Sequence, residues 1–355
     1  MSHPRIHIGL AKIAANARTI VGMCAAHGIE VLGVTKATHG DPQVARAMLA
    51  GGVTGLGESR LESIERLKAA GIDAPMTLLT VPALSEADAV VEHADVSLNS
   101  ELSVLQALSD AALARGRIHD AVVMVDLGDL REGVMPDYLD GFLADAVKMT
   151  GVRIRGLGAN LTCFGGVAPS PENMAVLVRL ARDARAAHGL ALDWVSGGNS
   201  SALRLIQSGH MPAGITHARI GEAILLGRET THREPWPGTH QDAFVLSAEV
   251  VEVKEKPSHP VGEVVEDAFG HVPDFPDVGD MDRAILNVGR EDVAVEGLTP
   301  ADSRFTVLGG SSGYVIVDVT PAHGSVKVGD RLAFTLNYAA LVAAMGSPHI
   351  EKIHS

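Results

Sequence analysis

Apolar and polar positions change rhythm once along this chain. Leu10, Ile13, Ala17, Ile20 and Val21 recur at helical spacing, which predicts a helix from about Leu10 to Val21 with one buried face. Short apolar runs then open near Val31, Thr54, Met76, Val96, Ala121, Ile154, Leu192 and His217, separated by amphipathic stretches such as Pro42 to Ala50 and Glu101 to Ala114. Strands and helices in strict alternation mean parallel strands joined by crossovers, and about eight such units match a closed (β/α) barrel. The rhythm breaks near Arg228 to Gly238, where Pro235, Trp236, Pro237 and Gly238 mark a linker. Beyond it, short β-branched runs at 243–251, 283–288, 314–319 and 331–336, separated by Gly, Pro and Asp, read as an all-β domain. The expected fold class is therefore α/β: an N-terminal (β/α)8 TIM barrel over residues 1–235, then a C-terminal mostly-β domain over residues 236–355.

Composition removes some functions. With 29 Lys and Arg against 43 Asp and Glu the formal net charge is −14, which lacks the basic footprint that nucleic acid requires and leans only weakly toward cationic ligands. Hydrophobic residues at 46% and charged residues at 20% are ordinary globular values, and aromatics at 3% leave an aliphatic core. Cys24 and Cys163 lie far apart and make no metal spacing, so a reducing compartment suits the chain better than a disulfide framework. The residues after Met1 hold no apolar signal region, and no run reaches the ~18 apolar residues of a membrane span. A cytoplasmic protein is expected.

A parallel barrel collects its chemistry at the carboxyl ends of its strands. The run Val31-Leu32-Gly33-Val34-Thr35 delivers Lys36, either a lysine that snorkels to solvent or an amine desolvated for Schiff-base chemistry. After the fifth run, Arg131 stands in a loop where its guanidinium could grip a carboxylate, or simply pair with Asp126 or Asp129. The sixth run enters the polar end Asn160-Leu161-Thr162-Cys163. The seventh ends in Ser196-Gly197-Gly198-Asn199-Ser200-Ser201, which is either an anion cradle of backbone N–H groups and hydroxyls or a plain serine helix cap. The eighth carries Arg219-Ile220-Gly221, and barrels frequently bind phosphate between the last two of these loops. An amine, a phosphate cradle and two arginines at one barrel mouth suit pyridoxal phosphate.

In this order and spacing, Val34-Thr35-Lys36-Ala37, the 126–133 stretch, Asn160-Leu161-Thr162-Cys163, the serine turn and Arg219-Ile220-Gly221 resemble the alanine racemase fold of pyridoxal-phosphate enzymes, and within it the ornithine racemase group. The resemblance covers essentially the whole chain. It implies Lys36 as the Schiff-base lysine, Ser200 with Asn199 and Gly221 as the phosphate site, Asn160 as a contact to the cofactor ring, and Arg219 as the arginine facing the pyridine nitrogen. It also implies a homodimer, and racemisation of a free amino acid, ornithine or another basic one. An arginine keeps its proton and leaves the ring nitrogen unprotonated, which favours rapid return of a proton to Cα.

Racemisation needs an acid/base on each face of the planar carbon, and Lys36 serves one. The tyrosine that serves the other in alanine racemases is missing from the corresponding stretch, 262–270. Of three tyrosines, Tyr138, Tyr314 and Tyr338, the last is the first choice, with Asp267, His39 and Cys163 as competitors. His259 and His271 form no recognisable ligand cluster, and no metal set stands out, which weighs against a metal-dependent D-threonine-aldolase-like lyase. The β-domain, which a simple cofactor carrier does not require, weighs against that third reading.

Overall fold

The computed structural model describes residues 3–270 and 272–355 and divides into two compact units. One comprises Leu10–His240; the other joins the amino-terminal segment up to Gly9 to Gln241–Ser355. The sequence-based boundary at 235/236 lies close to this division, but the amino terminus falls in the second unit. Its strand β1 (Arg5–Ile8) runs antiparallel to a strand at 244–257 and parallel to one at 351–354. Ladder pairing, which links residues remote in sequence, decides its membership.

In the first unit, strands β2 (Glu30–Val34), β3 (Gly55–Glu58), β4 (Met76–Leu78), β5 (Val96–Asn99), β6 (His119–Met124), β7 (Val152–Gly158), β8 (Trp194–Ser196) and β9 (His217–Ile220) close a parallel barrel in sequence order. β9 pairs back onto β2, with Gly33 opposite Ile220. Such strands are buried on both faces, so they read as continuous apolar runs. The register of β7 against β8 depends on Gly156: a Cβ there would fall 2.2 Å from Trp194 O. The first helix runs on past its predicted end, Leu10–Ala25, and buries Ile13, Asn16, Ala17, Ile20 and Cys24. Asn16 sits on that apolar face because its amide is fully used, donating to Ile224 O and His240 O and accepting from His240 N. No helix among the described residues is long and apolar enough to cross a membrane.

The second unit is built on β10 (Phe244–Pro257), whose Phe244, Leu246, Ala248 and Val250 are all fully buried at every second position. With β11 (Asp280–Leu286), β12 (Leu298–Pro300), β13 (Thr306–Gly310), β14 (Val315–Asp318) and β15 (Arg331–Leu336) it forms a sheet in the order β12-β15-β10-β11-β14-β13. β1 and β16 (Glu351–His354) extend it beside β10. A helix at Tyr338–Gly346, unforeseen from the sequence, is capped by Asn337, whose side chain accepts from Ala340 N at 2.9 Å.

Candidate active site

Lys36 stands where β2 stops. Thr35 leaves the strand, and Lys36 opens a single 3₁₀ turn to Thr38, closed by His39 in the left-handed region at φ 51° with its N–H on Lys36 O. Thr38 Oγ1 donates to Thr35 O at 2.9 Å, so the backbone presenting the amine is fixed from two sides. Burial pulls the Lys36 pKa below its ordinary value; a negative charge at Cys163 works against this, while Arg131 and Arg219 add to it. The amine is thus surrounded by the thiol and by the two arginines named from sequence.

Arg219, on β9, is 6% exposed, and burial pulls its pKa down to about 10, which still leaves it cationic at neutral pH. It donates to Ala159 O at 2.8 Å and to Ser196 Oγ. The Ser196 hydroxyl that accepts from Arg219 also lies 2.9 Å from His217 Nδ1, within hydrogen-bond distance. His217 stacks on Trp194 with ring centroids 4.1 Å apart, and burial, with Arg219 and Arg155 nearby, pushes its pKa down to about 3. A neutral imidazole therefore backs the serine that holds Arg219.

The serine turn is capped by Asn199 rather than by a serine: Asn199 Oδ1 accepts from Ser201 N at 2.8 Å. Ser200 Oγ accepts from Ala223 N at 3.1 Å, and Ser201, 4% exposed, has a hydroxyl with no partner. Gly221 faces the end of β2 so closely that a Cβ would meet Val34 O at 3.0 Å. Asn199 Nδ2 reaches Leu161 O at 2.9 Å and Cys163 Sγ at 3.6 Å. The Asn160 amide lies 3.1 Å from Asn199 Nδ2 and, turned over, presents its oxygen to Arg131 Nη1 at 3.1 Å.

Arg131 pairs with neither Asp126 nor Asp129 but with its neighbour Glu132. Asp126 instead folds its own loop, accepting from Gly128 N and Leu130 N. Asp129 reaches across to the next loop, accepting from Cys163 N at 3.3 Å, Phe164 N at 2.9 Å and Val167 N at 3.4 Å. Its partners are backbone groups of a remote loop, and no pattern in the sequence announces them. Glu58 is absent from the candidates read from the sequence. It closes β3 as Lys36 follows β2, an apolar strand ending on a charge, so the signal was present. It is 1% exposed, Thr35 Oγ1 donates to it at 2.5 Å, and its Oε2 has no partner. Burial pushes its pKa up to about 7, against the Thr35 bond and the charges of Arg66 and Lys36.

The barrel unit thus brings together Lys36, Arg131, Asn160, Cys163, Asn199, Ser200, Arg219 and Gly221. Tyr338 and Asp267 belong to the other unit. Tyr338 is the half-buried first residue of its helix, and Asp267 is exposed in a turn where its Oδ1 accepts from Phe269 N at 2.8 Å. His39 serves the turn after Lys36 through its backbone. His259 Nδ1 lies 2.9 Å from Phe275 O, and His271 lies outside the described residues.

A parallel barrel with an amine, a buried arginine and a serine turn at its strand ends, on a chain that also carries a β-domain, defines a class of enzymes. Residues 8–229 match the N-terminal domain of alanine racemase. Over 351 residues, 99% of both chains, the protein is 40% identical to the ornithine racemase of Acetoanaerobium sticklandii. It is also 40% identical to the lysine racemase of Thermotoga maritima over 354 residues, 100% of this chain and 99% of the other. The alanine racemase of Bartonella henselae, solved with covalently bound pyridoxal phosphate, superposes with a TM-score of 0.75 at 16% identity, covering 100% of each chain. The chain belongs to the alanine racemase family.

Proposed function

We propose that the protein is a pyridoxal-phosphate-dependent racemase of a free basic amino acid, ornithine or lysine. The observation that carries the reading is the Lys36 amine, lowered in pKa by burial beside Arg219 and Arg131. Full-length identity of 40% to an ornithine racemase and a lysine racemase supports the substrate class.

The residues present fit the cofactor. The Ser201 hydroxyl is buried without a partner next to Ser200, and Gly221 has no room for a side chain, as a cradle for a phosphate requires. Lys36 Nζ would hold the aldehyde carbon, Asn199, Ser200 and Gly221 the phosphate, Asn160 a ring substituent and Arg219 the ring nitrogen. When bound, pyridoxal phosphate supplies a conjugated ring that accepts the electron pair left as Cα loses its proton. Arg219, which can only donate, keeps that nitrogen without a proton of its own and so favours return of a proton to Cα. Ser196, itself hydrogen-bonded to His217, accepts from Arg219 and holds it in place. Lys36, desolvated and beside two guanidinium groups, moves a proton at Cα on one face. Arg131, steadied by Glu132, is available to the substrate carboxylate. We extend the reading, on the family resemblance, to a cytoplasmic homodimer, which sedimentation at working concentration tests.

Proton NMR of the purified protein with pyridoxal phosphate in heavy water is the direct test, offering both enantiomers of ornithine, lysine, alanine and threonine. Exchange at Cα with chiral conversion of ornithine or lysine is the expected result. Cleavage of D-threonine would move the reading to a lyase, and no exchange with any of them would end it.

A further inference from the structure

We propose that Cys163 is the acid/base on the face of Cα opposite Lys36. The inference rests on the racemase reading above and supplies the group that reading lacks. Cys163 is the exposed one of two free cysteines; Cys24 is fully buried. Cys163 lies within electrostatic reach of Lys36, Arg131 and Arg219 together. The thiol is exposed to solvent on the same side of the site as Lys36, Arg131 and Arg219, so a proton held there exchanges with water.

The thiol is also held. Thr162 takes the left-handed region at φ 61°, and the Cys163 N–H is fixed on the Asp129 carboxylate. Asn199 Nδ2, 3.6 Å from Sγ, ties it to the serine turn, where the unpartnered, buried Ser201 hydroxyl independently points to a ligand. Lys36 approaches from β2 and Cys163 from the loop after β7, so the two groups come from different sides of the barrel mouth, as a two-base inversion requires.

For one enantiomer the Cys163 thiolate takes the Cα proton: the Cα–H bond breaks, its electron pair stays on the bound substrate and an S–H bond forms. The Lys36 ammonium then gives a proton to the other face and becomes a neutral amine. For the opposite enantiomer the roles exchange. One proton has moved from Nζ to Sγ in a forward turnover, and exchange with solvent at the exposed thiol restores the starting state.

The test uses the holoenzyme of wild type, Cys163→Ser and Cys163→Ala, with loading followed by cofactor absorbance. Both variants are expected to load and to lose racemisation by roughly 10²–10⁴-fold, the range of a positioned acid/base. They should still exchange the Cα proton of the single enantiomer that Lys36 deprotonates. A second readout needs no turnover: iodoacetamide on the unloaded chain reports Cys163 alone because Cys24 is buried. Lys36→Met should slow that alkylation severalfold at neutral pH. The inference falls if either cysteine variant racemises within threefold of wild type, or if Tyr338→Phe rather than Cys163→Ser leaves exchange confined to one enantiomer. It also falls if Lys36→Met leaves alkylation unchanged. A wild type that exchanges no amino acid takes down the racemase reading itself, an outcome distinct from each of these.

Discussion

Glu58 sets a pH signature that can be worked out from its surroundings. Its carboxyl is buried against Thr35, and its pKa rises from 4.5 to about 7. Between those values the unfolded chain ionises this group while the folded one keeps its proton. The stabilisation is therefore full below pH 4.5, is lost as pH rises through about 7, and is level beyond. His217 and His119, pushed by burial from 6.5 down to about 3 and about 4, act with the opposite sign, so their contribution is present above 6.5 and is lost as pH falls. Two imidazoles outweigh one carboxyl, and the wild type is expected to lose stability on acidification. Glu58→Gln keeps an acceptor for Thr35 and removes only the opposing slope. Denaturant unfolding should find the variant more stable by roughly 1–3 kcal/mol at pH 8, with the gap closing below pH 4.5. A gap independent of pH would mean that Glu58 titrates alike in the folded and the unfolded chain.

At the scale of elements, the loops after β6 and β7 work as one body because a single carboxylate joins them. Asp129 is 1% exposed and its carboxylate accepts three N–H groups from residues 163–167, while its main-chain oxygen accepts a fourth, from Gly165 N. Asp129→Ala leaves those donors without their acceptor, which costs about 1–3 kcal/mol of folding stability. The larger effect should fall on chemistry, since a displacement of about 1 Å at Cys163 is enough to cost ~10²-fold in rate. Exchange of Cα protons in heavy water together with limited proteolysis between 160 and 168 would check both. Full activity with an intact loop would remove Asp129 from the site's support. The strands themselves were legible because burial on both faces writes an unbroken apolar run, and Lys36 and Arg219 stood out as charges closing such runs. Boundaries slipped by a few residues, as at β8, expected from Leu192 and found at Trp194–Ser196. Side chain to backbone bonds across loops, such as those of Asp129, leave no periodic trace. Glu58 carries the same signal as Lys36, a charge closing an apolar strand, but its sign is opposite to that of the cationic strand ends that suit a phosphate-bearing ligand.

Across the whole molecule, the chain crosses between its two units twice. Arg5–Ile8 is four residues long with partners at Phe244–Ser247 and Glu351–His354, so neither its length nor any local pattern reveals that it belongs to the β-rich unit. Ile6 and Ile8 are both 0% exposed there, and burying two isoleucines contributes about 3–6 kcal/mol before the ladder bonds are counted. Removing residues 1–9 should therefore weaken the unit remote in sequence, not the adjacent barrel. Limited proteolysis of the truncated chain, read by mass spectrometry, should show early cuts within 241–355 while Leu10–His240 persists as a resistant fragment. Early cuts inside the barrel would mean that the first nine residues stabilise the unit they precede rather than the sheet they pair with.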